Sequence, residues 1–290
     1  MPMNRPNSTG VVYALLAYGA WGLLPVYWKQ LQGISAIEIL CHRIIWSLVF
    51  LGGLVVWRRQ WGEVRSLLAQ PKLVATLLVS AIILSFNWGM FIYAINSNQV
   101  VQSGLGYYIN PLVNVLIGCV FLREPLTRWQ GLAVALAALG VANFVVSLGI
   151  VPWISLALAF SFASYALLRK LTPVPPLLGL VVEAALITPI ALGILLYFAQ
   201  SQPPALGSSV PITLWLMGAG AVTAIPLLWF NRAAKQLPFS TLGFLQYIGP
   251  SLQLGLGVLV YGEPFTAAHG VTFGLIWLGL AIYSYSTYRP

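Results

Sequence analysis

Apolar runs long enough to cross a lipid bilayer recur ten times along this 290-residue chain, and nothing constrains its fold more. They lie near Gly10–Trp28, Ala36–Trp57, Leu73–Ile95, Val100–Leu122 and Trp129–Leu148, then near Val151–Leu168, Leu177–Ala199, Pro211–Asn231, Ser240–Tyr261 and Ala267–Tyr285. A hydrocarbon layer of about 30 Å takes about 20 helical residues. Lipid offers no partner to backbone N–H and C=O groups, so each segment must bond within itself. A β-barrel would show alternating segments of about ten residues instead. The expected fold class is therefore an all-α integral membrane protein with ten transmembrane helices. Composition leads to the same place: 59% of residues are hydrophobic, 7% are charged and the mean hydropathy is +0.88. A soluble domain carries about 25% charge, so the main partner here is the lipid bilayer.

The net charge of +9 does not point to nucleic acid. The cations sit in short connections, and no basic face interleaved with aromatics appears. Arg5, Arg58, Arg59, Arg65, Lys72, Arg123, Arg128, Arg169, Lys170, Arg232, Lys235 and Arg289, twelve of the fourteen, fall on one side if the N-terminus is inside. By the positive-inside rule both termini are expected in the cytoplasm, with residues 1–9 as a short cytoplasmic tail. Cys41 and Cys119 lie within apolar runs. With two His, five acidic residues and no Asp, no metal centre and no cofactor is expected.

The chain also repeats itself at a spacing of 139 residues. Gly104 to Pro111, GLGYYINP, matches Gly243 to Pro250, GFLQYIGP. At the same spacing Gly118 matches Gly257, Glu124-Pro125 matches Glu263-Pro264, Gly131 matches Gly270 and Gly140 matches Gly279. Two repeats are expected, residues 10–148 and 151–287. Each holds five helices, an odd number, so the second copy must run through the membrane inverted. Inverted repeats with a binding site between them near the midplane are typical of secondary transporters.

These features resemble the EamA family of the drug/metabolite transporter superfamily, and more closely its RarD-type members. The residues that carry the resemblance are GAWGLLPVYWK from Gly19 to Lys29, EILCHRIIWS from Glu38 to Ser47, NWGMFIY from Asn87 to Tyr93, SGLGYYINPL from Ser103 to Leu112 and STLGFLQYIGP from Ser240 to Pro250. The resemblance covers nearly the whole chain. It implies helices one to four and six to nine around a central cavity, with helices five and ten more peripheral. It also implies export of small metabolites or drugs, such as amino acids or drug-like compounds, across a bacterial inner membrane.

Ionisable residues inside lipid are costly and mark candidate sites. Helix two carries Glu38, His42 and Arg43, and helix seven carries Glu183. Arg43 and Glu183 are 140 residues apart, close to the repeat spacing, and are expected at pseudo-symmetric positions. Arg43 would attract a substrate carboxylate, while Glu183 would bind a proton or a substrate amine. His42 is a second candidate proton site. Asn87, Trp88, Tyr108, Asn110, Asn114, Gln246, Tyr247 and Gln253 form a polar and aromatic set suited to lining a cavity for an amphipathic ligand, although interhelical bonding would use the same residues. Pro111 and Pro250 are expected to break their helices at matching positions and to serve as hinges. Glu124 is expected to meet nearby cations such as Arg123 or Arg128.

No Gly-Lys pair exists to build a phosphate-binding loop, so uphill transport would have to draw on a gradient. An enzyme would need clustered acid, base or metal ligands, and Glu38 with His42 is a lone pair, so a non-enzyme is expected. A passive facilitator or a non-catalytic membrane partner protein is the alternative. Ala133, Ala137 and Gly140 would suit a homodimer contact or intramolecular packing equally well.

Overall fold

Each apolar run closes its own backbone hydrogen bonds in a helix, and the architecture is the way those helices pair. The computed structural model describes residues 8–31, 33–96, 100–148, 153–260 and 267–288. The helices are α1 (Ser8–Trp28), α2 (Ala36–Trp57), α3 (Trp61–Leu68), α4 (Pro71–Asn96), α5 (Val100–Phe121), α6 (Arg128–Leu148), α7 (Trp153–Leu171), α8 (Pro176–Phe198), α9 (Val210–Gln236), α10 (Phe239–Gln246), α11 (Ile248–Gly255) and α12 (Ala267–Tyr288). No strand occurs among the described residues. Among the described residues eight spans are long and apolar enough to cross a membrane, and the shorter apolar stretches Gly106–Phe121 and Gly270–Tyr283 bring the number to ten. The ninth span is α10 and α11 together with a π turn, Leu256–Val260.

The helix pairs of the two halves correspond as a pseudo-two-fold relation would require. α1 packs on α9 as α7 packs on α4, and α2 packs on α9 as α8 packs on α4. α5 lies against α7 as α10 and α11 lie against α1. α6 with α12, and α2 with α8, are self-mated pairs across the axis. At the α6–α12 crossing the symmetry reaches single atoms. A Cβ on Gly140 would stand 2.9 Å from the carbonyl oxygen of Thr272, and one on Gly279 would stand 2.8 Å from that of Ala133. Those four residues are two pairs at the 139-residue spacing. The small residues of α6 therefore let the backbone of α12 approach within the same chain.

The basic face is built by cations closing helix ends. Lys170, at the end of α7, donates to the carbonyls of Ala234 (3.1 Å) and Leu237 (2.6 Å). Lys235, at the end of α9, donates in return to the carbonyls of Thr172 (3.0 Å) and Val174. Terminal carbonyls have no partner within the helix, and an ammonium group satisfies them while complementing the helix dipole. On the opposite face Glu38 accepts from the backbone N–H of Ala205 at 2.7 Å, and Tyr27 donates to the carbonyl of Trp215.

Several sequence-based expectations need correction. α3, assigned to a connection, is an eight-residue amphipathic helix with Val64 and Leu67 buried and Trp61 exposed. The ninth span is two helices rather than one run, and here the break expected of Pro250 is present: it falls at Tyr247, three residues before Pro250, a residue that has no N–H to give the carbonyl of Gln246. Pro111, its counterpart, does not interrupt α5. Glu124 does not meet Arg123 or Arg128. It accepts from the N–H of Phe239 (2.7 Å), the N–H of Ser240 (3.0 Å) and the Ser240 hydroxyl (3.1 Å). A carboxylate from the first half thus caps the start of α10 in the second, where the helix dipole favours negative charge. Glu263, its partner in the repeat, lies outside the described residues.

Candidate functional site

Four helices that are mates across the pseudo-two-fold axis, α2 with α8 and α4 with α9, enclose a cavity of about 50 Å³. Each contributes one face. Ile44, Ser47 and Leu51 recur at helical spacing on α2, as do Ala81, Leu84, Ser85 and Trp88 on α4. α8 adds Glu183 and α9 adds Thr223, each among aliphatic neighbours. The wall is therefore apolar with a few hydroxyls, one indole and one carboxylate. The family resemblance implied helices one to four and six to nine around a central cavity; spans two, three, seven and eight line this one.

Glu183 is 4% exposed and lies in a buried polar cluster. Its Oε1 accepts from Ser80 at 2.6 Å and stands 3.5 Å from Nη1 of Arg169, which is 1% exposed. Arg169 belongs to the last turn of α7 and was read from sequence as a connection cation. It reaches Glu183 because residue 179 has no side chain: a Cβ on Gly179 would stand 2.2 Å from Nη1 of Arg169. Gly179 and Glu183 are one turn apart, so both lie on the face of α8 along which the guanidinium runs. Nη2 of Arg169 also donates to the carbonyl of Pro176 at 3.5 Å. The pair is incompletely satisfied, because Nε and Nη1 of Arg169 and Oε2 of Glu183 have no hydrogen-bond partner. Thr223 Oγ1, also at the cavity wall, has none either.

Arg43 sits one turn from Ser47 on α2. Its guanidinium lies 4.2 Å from the ring centre of Trp88 and 5.4 Å from that of Trp28, and Tyr107 of α5 is within electrostatic reach. Its Nε is buried without a partner. Arg43 and Glu183 are each seven residues into their helices, at about 1.5 Å per residue some 10 Å deep from opposite faces. The exact counterpart of Glu183 at the 139-residue spacing is Ile44, the neighbour of Arg43.

The other candidates sit between helices rather than at this cavity. Asn87 donates to the carbonyl of Leu158 (2.9 Å) and to Ser161 (2.9 Å), tying α4 to α7. Asn110 donates to the carbonyl of Ala159 (2.6 Å). Asn114 donates to Asn110 (3.2 Å) and to Gln246 (2.9 Å), tying α5 to α10. Tyr108 donates to the carbonyl of Pro250 (3.4 Å), Gln253 donates to that of Trp21 (3.1 Å), and Tyr247 is fully buried with an unpartnered hydroxyl. His42 is buried 4.0 Å from Glu38, in the first two turns of α2. Of the residues proposed from sequence, Trp88 and Glu183 line the cavity and Arg43 borders it. Ser47, Ser80, Thr223 and Arg169 were missed. Hydroxyls inside apolar runs carry no pattern, and Arg169 was masked by its basic neighbour Lys170.

No group of three or more potential metal ligands exists among the described residues. Residues 8–146 match the EamA-like transporter family. An uncharacterized transporter of Pseudomonas aeruginosa is 44% identical over 97% of this chain and 94% of its own length. Protein RarD of Salmonella typhi is 46% identical over 96% of this chain and 95% of its own. A crystal structure at 18% identity superposes with a TM-score of 0.75 over 99% of this chain and 100% of the other, and so shares the fold. The chain belongs to the EamA-like transporter family, as a RarD-type member.

Proposed function

We propose that this chain is a gradient-driven secondary transporter that exports small amphipathic metabolites, amino acids or drug-like compounds, across the bacterial inner membrane, with both termini in the cytoplasm. The cavity between α2, α4, α8 and α9 is its substrate chamber and Glu183 its proton site. One observation carries this reading: a carboxylate at the chamber wall, on the axis side of α8, whose Oε1 is held by Ser80 and Arg169 while Oε2 has no partner. A proton arriving at Oε2 neutralises the carboxylate and releases Arg169. The link between α7 and α8 is then broken within the second half, and the hold of Ser80 in the first half on Glu183 weakens with the loss of the negative charge. At about 50 Å³ the chamber as it stands holds only a few waters, at roughly 10–15 Å³ each, so a substrate would need the surrounding helices to move apart. Transporters with inverted repeats alternate access by moving one repeat against the other around a fixed site.

Reconstituted protein in proteoliposomes tests this with labelled amino acids and chloramphenicol, with and without an imposed pH gradient. The expected result is saturable flux of at least one compound, accelerated when the gradient is present. Equal flux in both conditions would replace the coupled carrier by a passive facilitator.

A further inference from the structure

The charges inside the membrane are not balanced, and the imbalance selects a substrate class. Glu183 already has a cation, Arg169, at 3.5 Å. Arg43 has none: among the described residues no carboxylate lies within 4.0 Å of it, and its Nε is buried without a hydrogen-bond partner. The two halves therefore offer different chemistry, an ion pair on α8 and a cation without a carboxylate partner on α2. The contacts Arg43 does make are with the rings of Trp28 and Trp88. Neither indole supplies a carboxylate or carbonyl acceptor, and the N–H fork of a guanidinium is the geometry that takes a carboxylate bidentately. Trp88 also belongs to the cavity wall, and beyond it the wall is mostly aliphatic.

We propose that the Arg43 fork at the edge of the chamber is the headgroup site for an amphipathic organic monoanion, whose apolar body lies along Trp88 and the aliphatic wall, and that the protein does not select for amines. This rests on the reading of the cavity as the transport chamber and narrows the substrate range proposed for it. A zwitterionic substrate would need a free carboxylate as well as a free cation, and the cavity carboxylate is occupied by the protein's own arginine. A monoanion leaves the loaded site neutral, which lowers the cost of holding Arg43 at depth in lipid.

A matched series of probes tests the proposal: 3-phenylpropionate, 3-phenylpropionamide and 3-phenylpropylamine share one apolar body and differ in head charge. Binding is read from quenching of tryptophan fluorescence and from thermal stabilisation of the purified protein in nanodiscs. The carboxylate is expected to bind at least about tenfold more tightly than the amide or the amine. Arg43→Gln is expected to erase that preference, and Arg43→Lys to keep part of it. An amine that binds as well as the carboxylate would overturn the proposal, as would no binding by any of the three. A carboxylate preference that survives Arg43→Gln would overturn it too. If Arg43→Gln does not fold, the wild-type series alone decides. The assay needs no gradient, so carboxylate preference without gradient-responsive flux would uphold this site and refute the coupled carrier.

Discussion

Replacing Arg169 by Met is expected to destabilise the protein by about 3–5 kcal/mol, because it leaves Glu183 buried with Ser80 as its remaining partner. The double change Arg169→Met with Glu183→Gln is expected to recover most of that loss, since the uncompensated charge is then gone. The reasoning is the asymmetry of buried ion pairs. Desolvating both members costs nearly as much as their attraction returns, so removing both is cheap and removing one is not. Thermal or denaturant unfolding of the three proteins in one detergent measures it. If the double variant were as unstable as the sum of the single ones, the two groups would not be coupled, and the pair at the chamber wall would have no energetic role. Gly179→Ala belongs to the same argument. A methyl group at that position collides with the guanidinium, so it should reproduce part of the Arg169→Met effect while leaving both charges in place.

Gly220→Ala is expected to be the most damaging of the small substitutions. A Cβ there would stand 2.2 Å from the carbonyl carbon of Trp46 and 2.6 Å from the backbone nitrogen of Ser47. Backbone cannot swing aside as a side chain can, so α2 and α9 must separate. The bond from the Ser47 hydroxyl to the carbonyl of Gly220, now 3.2 Å, would be lost with them. Overpacking of this kind costs about 1–3 kcal/mol, and both helices line the chamber, so transport should fall as well as stability. Gly193→Ala is the control. It is the same substitution on α8, at an exposed position with nothing within 4 Å, and is expected to be neutral to slightly stabilising, by up to about 1 kcal/mol. If the two variants unfolded alike, the close approach of α2 to α9 would be unsupported. The residue equivalent to Gly220 in the first half is Ala81, at the mating approach of α4 to α8, where it is 3% exposed. Small residues at both crossings are what allow the four-helix wall to close.

Much of this architecture was legible in the sequence because lipid imposes simple rules. Apolar length marked the spans, and the Glu-Pro, Tyr-Ile and Gly matches at one spacing disclosed the repeat. What was not legible depends on contacts between distant segments. Arg169 looks like any other cation at a helix end until Gly179 is seen to leave a groove for it. The amides Asn87, Asn110, Asn114 and Gln246 were read as cavity lining, yet membrane helices have few other ways to join, and these residues bond one another and carbonyls of α7. Pro111 and Pro250 occupy matching positions in the repeat and behave differently, since one helix absorbs its proline and the other breaks at Tyr247. Glu124 illustrates the same limit: its partner is the start of a helix 115 residues further along the chain.

The most direct test of the central claim, that Glu183 links a proton to the chamber, is a comparison of Glu183→Gln with the wild type in proteoliposomes, using two assays of one substrate. The first is exchange of labelled for unlabelled substrate without a gradient; the second is uptake driven by an imposed pH gradient. The account predicts that the variant retains exchange, because the chamber and Arg43 remain, and loses the response to the gradient. A variant whose uptake still follows the gradient as the wild type does would contradict it.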